Sequence, residues 1–362
     1  MIGSRRHCGL SSFTFTTGGL LAMMKLLSGR GIRVRSYDVL MILFAVWTTW
    51  VYNYHHAWEG FVYGGSMALE CLGGYMIARV YVRTEGQYRA TIKFLFGAVM
   101  VAAAIALLDT FSGQYFTHAM LRQFFGGEAL PPMQFRGGLA RAASDFDHPI
   151  HYGTFCAVLL ACYWSIERTT GRSALRAGAV TFATLLGMSS APLLSIVLQV
   201  TMLVWEKLTR TIKKRTPLTL AAIAGIFIGV SLASNRGPIQ IIATSFTLDS
   251  WTGYYRTQIW EFGLDNVWEK PLFGLGLNDW ARPAWMVSST IDAYWLVTAI
   301  RSGIPGFLLM AVPIWIIGRH VVKQSIASKD KSRRLLARAW MISLVALCLD
   351  STTVHLWNVV QA

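Results

Sequence analysis

The sequence predicts an all-α, polytopic membrane protein of about nine or ten spans, built as one membrane domain over residues 1–362. Three observations lead there. Hydrophobic residues fill 54% of the 362 positions and charged residues only 14%, against roughly 25% charged in a soluble chain. The apolar residues come in blocks long enough to cross a bilayer. Arginine and lysine cluster between those blocks, the pattern that sets orientation in a membrane.

The same placement explains the net charge of +15. It is a topology signal, and with no nucleic-acid module present no nucleic-acid partner is expected. The five cysteines, Cys8, Cys71, Cys156, Cys162 and Cys348, sit in or beside apolar segments without a CxxC pair. They read as packing residues, so neither a disulfide framework nor a metal site is expected, and no cofactor.

The start of the chain is basic and then apolar, without a small-residue cleavage site before a polar stretch. It reads as a weak first span and not as a cleaved signal peptide. Arg30, Arg33 and Arg35 precede the apolar block 39–52, and Arg79, Arg83, Arg89 and Lys93 follow the block 61–78. Both clusters are expected in the cytoplasm, which makes 52–59 an outer turn. Residues 95–108 then run outward to Asp109. Residues 110–149 form a first periplasmic loop, too polar to span.

Residues 150–166 return to Arg168, Arg172 and Arg176. The stretch 177–205 ends at another basic cluster, so it must cross twice, turning at Ser189-Ser190-Ala191-Pro192. Residues 218–233 lead outward to the main periplasmic loop, 235–289, which is rich in tryptophan. Residues 291–317 read as one helix, interrupted at Arg301-Ser-Gly-Ile-Pro-Gly306, because glycine and proline break helices. Residues 339–349 exit again, and 350–362 are amphipathic, part of a last short helix.

The outer segments hold the chemistry. Arg136, Arg141, His148 and His151 lie in the first loop. Asp249, Tyr255, Arg256, Trp260 and Glu261 lie in the second, followed by Asp279, Trp280, Arg282 and Asp292. Arginine offers a planar fork of donors that matches phosphate oxygens and keeps its charge at any pH. Tryptophan and tyrosine faces suit sugar rings at an apolar boundary. The carboxylates are candidate bases. The bland readings are an aromatic anchoring belt, solvated arginines and a His-Pro helix start. Arg301 stands apart, because a charge inside an apolar span marks a functional or tightly paired group.

The order of these motifs carries a resemblance. Arg141…His148-Pro-Ile is followed by Ser-Ser-Ala-Pro in a membrane hairpin, then Thr252-Gly-Tyr-Tyr-Arg256…Ile-Trp260, Pro271-Leu-Phe-Gly-x-Gly, Asp292…Trp295-Leu and Gly303…Gly306. This resembles the O-antigen ligase and Wzy-type polysaccharide polymerase superfamily, in particular its exopolysaccharide-polymerase branch, over about residues 69–349. The resemblance implies a glycosyltransferase-C-like helical fold in the bacterial inner membrane. It implies metal-independent transfer of glycan from an undecaprenyl-pyrophosphate donor at the periplasmic face, with chain-length regulators and export proteins as partners. Arg256 matches the arginine that holds the donor pyrophosphate; Arg141 and His148 match the arginine and His-Pro of the earlier segment.

Two departures stand out. Ligases of the family carry a histidine near the start of the helix after the large loop, where this chain has Asp292. The hairpin turn of relatives often reads Ser-Arg-Gly, and here it lacks the arginine; Arg236 or Arg282 is the expected replacement. Against the family that the sequence resembles, the amino-terminal part reads as shorter, with one or more leading spans expected to be missing.

The expected function is polymerisation of lipid-linked repeat units. Arg256, with Arg141, Arg282 or Arg301, neutralises the leaving pyrophosphate, and Asp292 or else Asp249 accepts the acceptor's proton. Tyr255, Trp260, Trp280 and Arg236 complete the binding surface. The alternatives are a ligase acting on lipid A core, a flippase for the same lipid-linked sugar, and a structural subunit of a secretion complex. Charges gathered in two loops on one face, and not spread through the spans, favour an enzyme over a flippase.

Overall fold

A computed structural model describes residues 18–19, 21–25, 33–126, 132–136, 138–167, 170–209, 212 and 250–354. Most of the expected amino-terminal span and all of 218–233 lie outside them, as do Arg236, Asp249 and the last eight residues. The described residues are almost entirely helical, joined by one two-stranded hairpin. Among the described residues three helices are long and apolar enough to cross a membrane: Glu85–Ser112, Ser190–Thr209 and Tyr294–Ala327.

Helix α1 (Ser36–Tyr81) is broken at His56 and Ala57, the latter at φ 49°. Its two limbs fold back on each other. Gly60 lies so close to the first limb that a Cβ there would sit 1.9 Å from the Tyr52 carbonyl oxygen. At the far end of the hairpin the buried carboxylate of Asp38 accepts from Arg79 at 3.0 Å and from the Tyr75 hydroxyl. The expected outer turn at 52–59 is this break.

Helix α2 (Glu85–Ser112) starts at a capping box between Thr84 and Gln87 and stops at Gly113, which takes the left-handed conformation. A short amphipathic helix follows, α3 (Phe116–Phe125), then strands β1 (Phe135–Arg136) and β2 (Leu139–Ala140). The first polar loop therefore contains a helix and a hairpin.

The apolar stretch 150–166, expected as one helix, is two: α4 (Pro149–Ala157) and α5 (Leu160–Ser165). Gln199 repairs the break. Its side chain donates to the Ala157 carbonyl at 2.9 Å and accepts from the Ala161 amide at 3.0 Å. A buried backbone break is tolerated where another helix supplies the missing partners. Helices α6 (Thr170–Leu186) and α7 (Ser190–Thr209) form the expected hairpin, with Met188 at φ 43° in the turn.

The tryptophan-rich loop contains a helix, α8 (Ser250–Glu269). It packs on α9 (Tyr294–Ala327), which is interrupted at Gly303 as the sequence suggests. Helix α10 (Lys331–Asp350) closes the bundle. One apolar core joins α2, α4, α5, α6, α7 and α10, and a second joins α8 to α9 through the loop between them.

The basic clusters meet at one end of the bundle. There Arg79 pairs with Asp38, Arg89 with Glu85, Arg176 with Glu167 and Arg338 with Glu206. The polar loops before α4 and α9 lie at the opposite end, together with the break in α1.

Candidate functional site

The first loop is fastened to the α6–α7 turn. The Arg141 amide donates to the Gln134 carbonyl at 2.9 Å across the β-hairpin, and its guanidinium reaches Gln134 Oε1 and, at 2.8 Å, Ser189 Oγ. Arg136 donates to the Met188 carbonyl at 3.0 Å. Two guanidinium groups thus stand on a turn that has none of its own. Asp109, at the end of α2, holds the loop from below. One carboxylate oxygen accepts from the amides of Ala143 and Ser144, at 3.2 and 2.8 Å, and the other from Phe116 at 2.8 Å. These bonds keep Ser144 at φ 57°.

His148 caps α4. Its Nδ1 accepts the Ile150 amide at 3.1 Å, so the ring is neutral and offers only Nε2–H to a ligand. Burial, reinforced by the charges of Arg141, His151 and Arg256, pushes its pKa down to about 4. One turn along, the His151 ring lies 6.0 Å from that of His148.

Arg256 approaches from α8. It is 8% exposed, and its Nε meets no hydrogen-bond partner among the described residues. The Nε of Arg141, 5% exposed, is in the same position. Burial lowers the pKa of both, that of Arg141 to about 10, and the neighbouring charge of Arg136 disfavours both guanidinium groups further. Asp292 is the carboxylate that acts on Arg256. Burial holds its carboxyl above the usual range, opposed by Arg256 and His151. Buried cations in excess of carboxylates, with donors left over, make a site for an anion.

Asp292 does not cap α9. The cap is Ala293, without a side-chain bond, which leaves the Asp292 carboxylate to the site. Fold geometry thus gathers Arg256, Asp292, Arg141 and His148, together with Arg136 and His151 of the same polar segment and Ser189 of the hairpin turn. The three-residue spacing of His148 and His151 on a helix was the available signal.

Arg301 and Arg282 are committed elsewhere. The break at Gly303 and the missing amide of Pro305 leave the carbonyls of Ile300 and Arg301 without helical donors. Leu275 and Gly276 amides fill them, at 2.7 and 3.1 Å, while the Ile304 amide turns to the Pro271 carbonyl at 2.7 Å and Trp47 Nε1 donates to the Ser302 carbonyl at 2.8 Å. The Arg301 guanidinium donates to the carbonyls of Gly276 and Asn278, at 2.8 and 3.0 Å. Pro271-Leu-Phe-Gly-Leu-Gly is therefore the plug of a broken helix. His56 Nε2 steadies it by accepting the Leu277 amide at 2.7 Å. The two bonds to Gly276 and Asn278 tie the Arg301 guanidinium to the plug.

Arg282 folds its own loop, donating to Asp279 at 2.6 Å and to the Met286 carbonyl at 2.9 Å, over the ring of Trp280. It does not replace the arginine absent from the hairpin turn. Trp280 is 3% exposed and donates to the Ser289 carbonyl, which removes it as a sugar platform. Tyr255 lies beside Trp285 and bonds the Ser288 carbonyl at 3.3 Å.

An apolar groove of about 460 Å³ opens between α8 and α9, lined by Trp260, Leu264, Trp268, Trp295, Phe307 and Ala311. Arg256, Trp260, Leu264 and Trp268 follow one another at four-residue intervals, a single winding stripe on α8. The stripe has a charged head and an apolar body.

A family model described as O-antigen ligase matches residues 177–311. The match takes in Ser189, Arg256 and Asp292, and leaves out Arg136, Arg141, His148 and His151. No curated protein matches the chain.

Proposed function

We propose that this chain, whose residues 177–311 match a family model described as O-antigen ligase, is a glycosyltransferase polymerising oligosaccharide repeat units carried on undecaprenyl pyrophosphate, at the periplasmic face of the inner membrane. The observation that carries the reading is the stripe on α8: a buried arginine with a free donor at the head of an aromatic groove. A lipid pyrophosphate has the complementary form, two phosphates on an apolar chain.

In this reading Arg256, Arg141 and Arg136 receive the charge that develops as the sugar–phosphate bond breaks. Fixed donors in a water-poor site need no reorganisation at that moment, and such stabilisation is often the largest catalytic contribution. His148 adds a neutral N–H donor. The acceptor hydroxyl attacks the anomeric carbon, its proton passes to the Asp292 side of the site, and the bonding pair of the broken bond leaves on the pyrophosphate.

Asp292, where a ligase of the family would have histidine, favours polymerase over ligase. Lipid-linked glycans from cells lacking the protein test this. Single repeat units are the expected product. Full-length chains retained on the lipid mean a ligase, and units trapped on the cytoplasmic side mean a flippase.

A further inference from the structure

Helix α3 has an apolar face that no part of the described chain covers. Phe116, Met120, Leu121 and Phe124 are 39%, 43%, 41% and 73% exposed. They occupy one arc of the helix, while His118 on another side turns inward and contacts the Phe146 carbonyl at 3.2 Å. Covalent connection fixes where this face can lie. Only residues 113–115 separate α3 from the end of α2, a helix apolar enough to span, whose last turn presents Phe111 at 85% exposure. A three-residue link reaches at most about 10 Å, so α3 cannot leave the membrane boundary at which α2 ends. Apolar residues on one arc of a helix confined to that boundary match an interfacial helix, which buries its apolar side about 5–10 Å into the headgroup region.

We propose that α3 lies in the bilayer surface as an interfacial helix, with phospholipid as the partner of Phe116, Met120, Leu121 and Phe124, and that this contact sets the height of the arginine loop. The connection to the loop is Asp109. Its carboxylate binds the first amide of α3, Phe116, with one oxygen and the amides of Ala143 and Ser144 with the other. Arg141 is only two residues before Ala143. A shift of α3 relative to the lipid therefore acts on the segment that delivers Arg141 to Ser189.

A photoreactive benzoyl-phenylalanine at position 124, in full-length protein reconstituted into phospholipid vesicles, tests the first part. Phospholipid adducts several-fold above those from the same residue at Gln123 are the expected result. Equal lipid capture at both positions, or capture of a second copy of the chain at 124, overturns it. Phe124→Glu tests the second part, read as glycan transfer by protein whose membrane level and monodispersity equal those of wild type. A several-fold loss is expected, and Phe124→Leu should restore it. Undiminished transfer by Phe124→Glu overturns the coupling even if the lipid contact stands. If wild type itself transfers no glycan, the fault lies in the proposed function, while the lipid adducts at 124 still decide the position of α3.

Discussion

The guanidinium of Arg141 donates to the hydroxyl of Ser189 at 2.8 Å, across 48 residues of sequence. The α6–α7 turn lacks the arginine expected of it, and the fold brings one from the loop before α4. Ser189→Ala takes one partner from a buried charge, a loss of about 1.5–3 kcal/mol for a bond of this kind. Polymer formation by the variant should fall severalfold at unchanged membrane level, and Arg141→Lys should fall further. A Ser189→Ala protein with wild-type polymer yield would detach this contact from function.

Arg256→Lys should lose about a hundredfold in transfer rate, the scale for removing one aligned donor from a charge-stabilising site. Lysine keeps the charge and loses the fork. Initial rates with a lipid-pyrophosphate-linked repeat unit measure this. A lysine variant with normal rates would show that charge alone suffices.

Asp292→Asn preserves size and leaves α9 unaffected, since Ala293 and not Asp292 is the cap. The proposed role predicts almost no high-molecular-weight polymer from well-expressed protein. His151, whose charge acts on Asp292, should show a milder loss as His151→Gln. Normal polymer from Asp292→Asn would remove this carboxylate from the reaction.

His148 makes stability depend on pH in a definite direction. Its folded pKa is about 4, against about 6.5 in an unfolded chain. Between those values the unfolded state binds more protons, so stability rises with pH across that window and is level above it. His148→Gln keeps an acceptor for the Ile150 amide but no titration. Melting curves in detergent at pH 5 and pH 7 should differ more for wild type than for the variant. An unchanged difference would contradict the buried neutral ring.

Gly303 is the point where α9 opens to its plug. At φ 72°, a Cβ there would lie 2.0 Å from the Leu272 carbonyl oxygen. Gly303→Ala should lower the membrane level of the protein sharply, whereas Gly74→Ala, with nothing within 4 Å of its Cβ, should be neutral. Immunoblots of membrane fractions decide it, and equal levels of the two variants would sink the account of the break.

The sequence by itself determined the membrane class, the breaks at 52–59 and Arg301–Gly306 and the turn at Ser189, and it named Arg256, Arg141, His148 and Asp292 as candidates. Apolar blocks, basic clusters and helix-breaking residues are local signals, and each is written within a few positions. Only the tertiary structure decided what those residues are bound to. Arg301 and Arg282 carry the same charge as Arg256, but each has donors turned to backbone carbonyls of its own surroundings and, for Arg282, to Asp279. The carbonyls that Arg301 serves belong to a loop 23–25 residues away. Arg136 stands beside the site because the α6–α7 turn presents the Met188 carbonyl to it. A side chain's chemistry is fixed by its type, whereas its free donors depend on which distant backbone groups the fold leaves unsatisfied nearby.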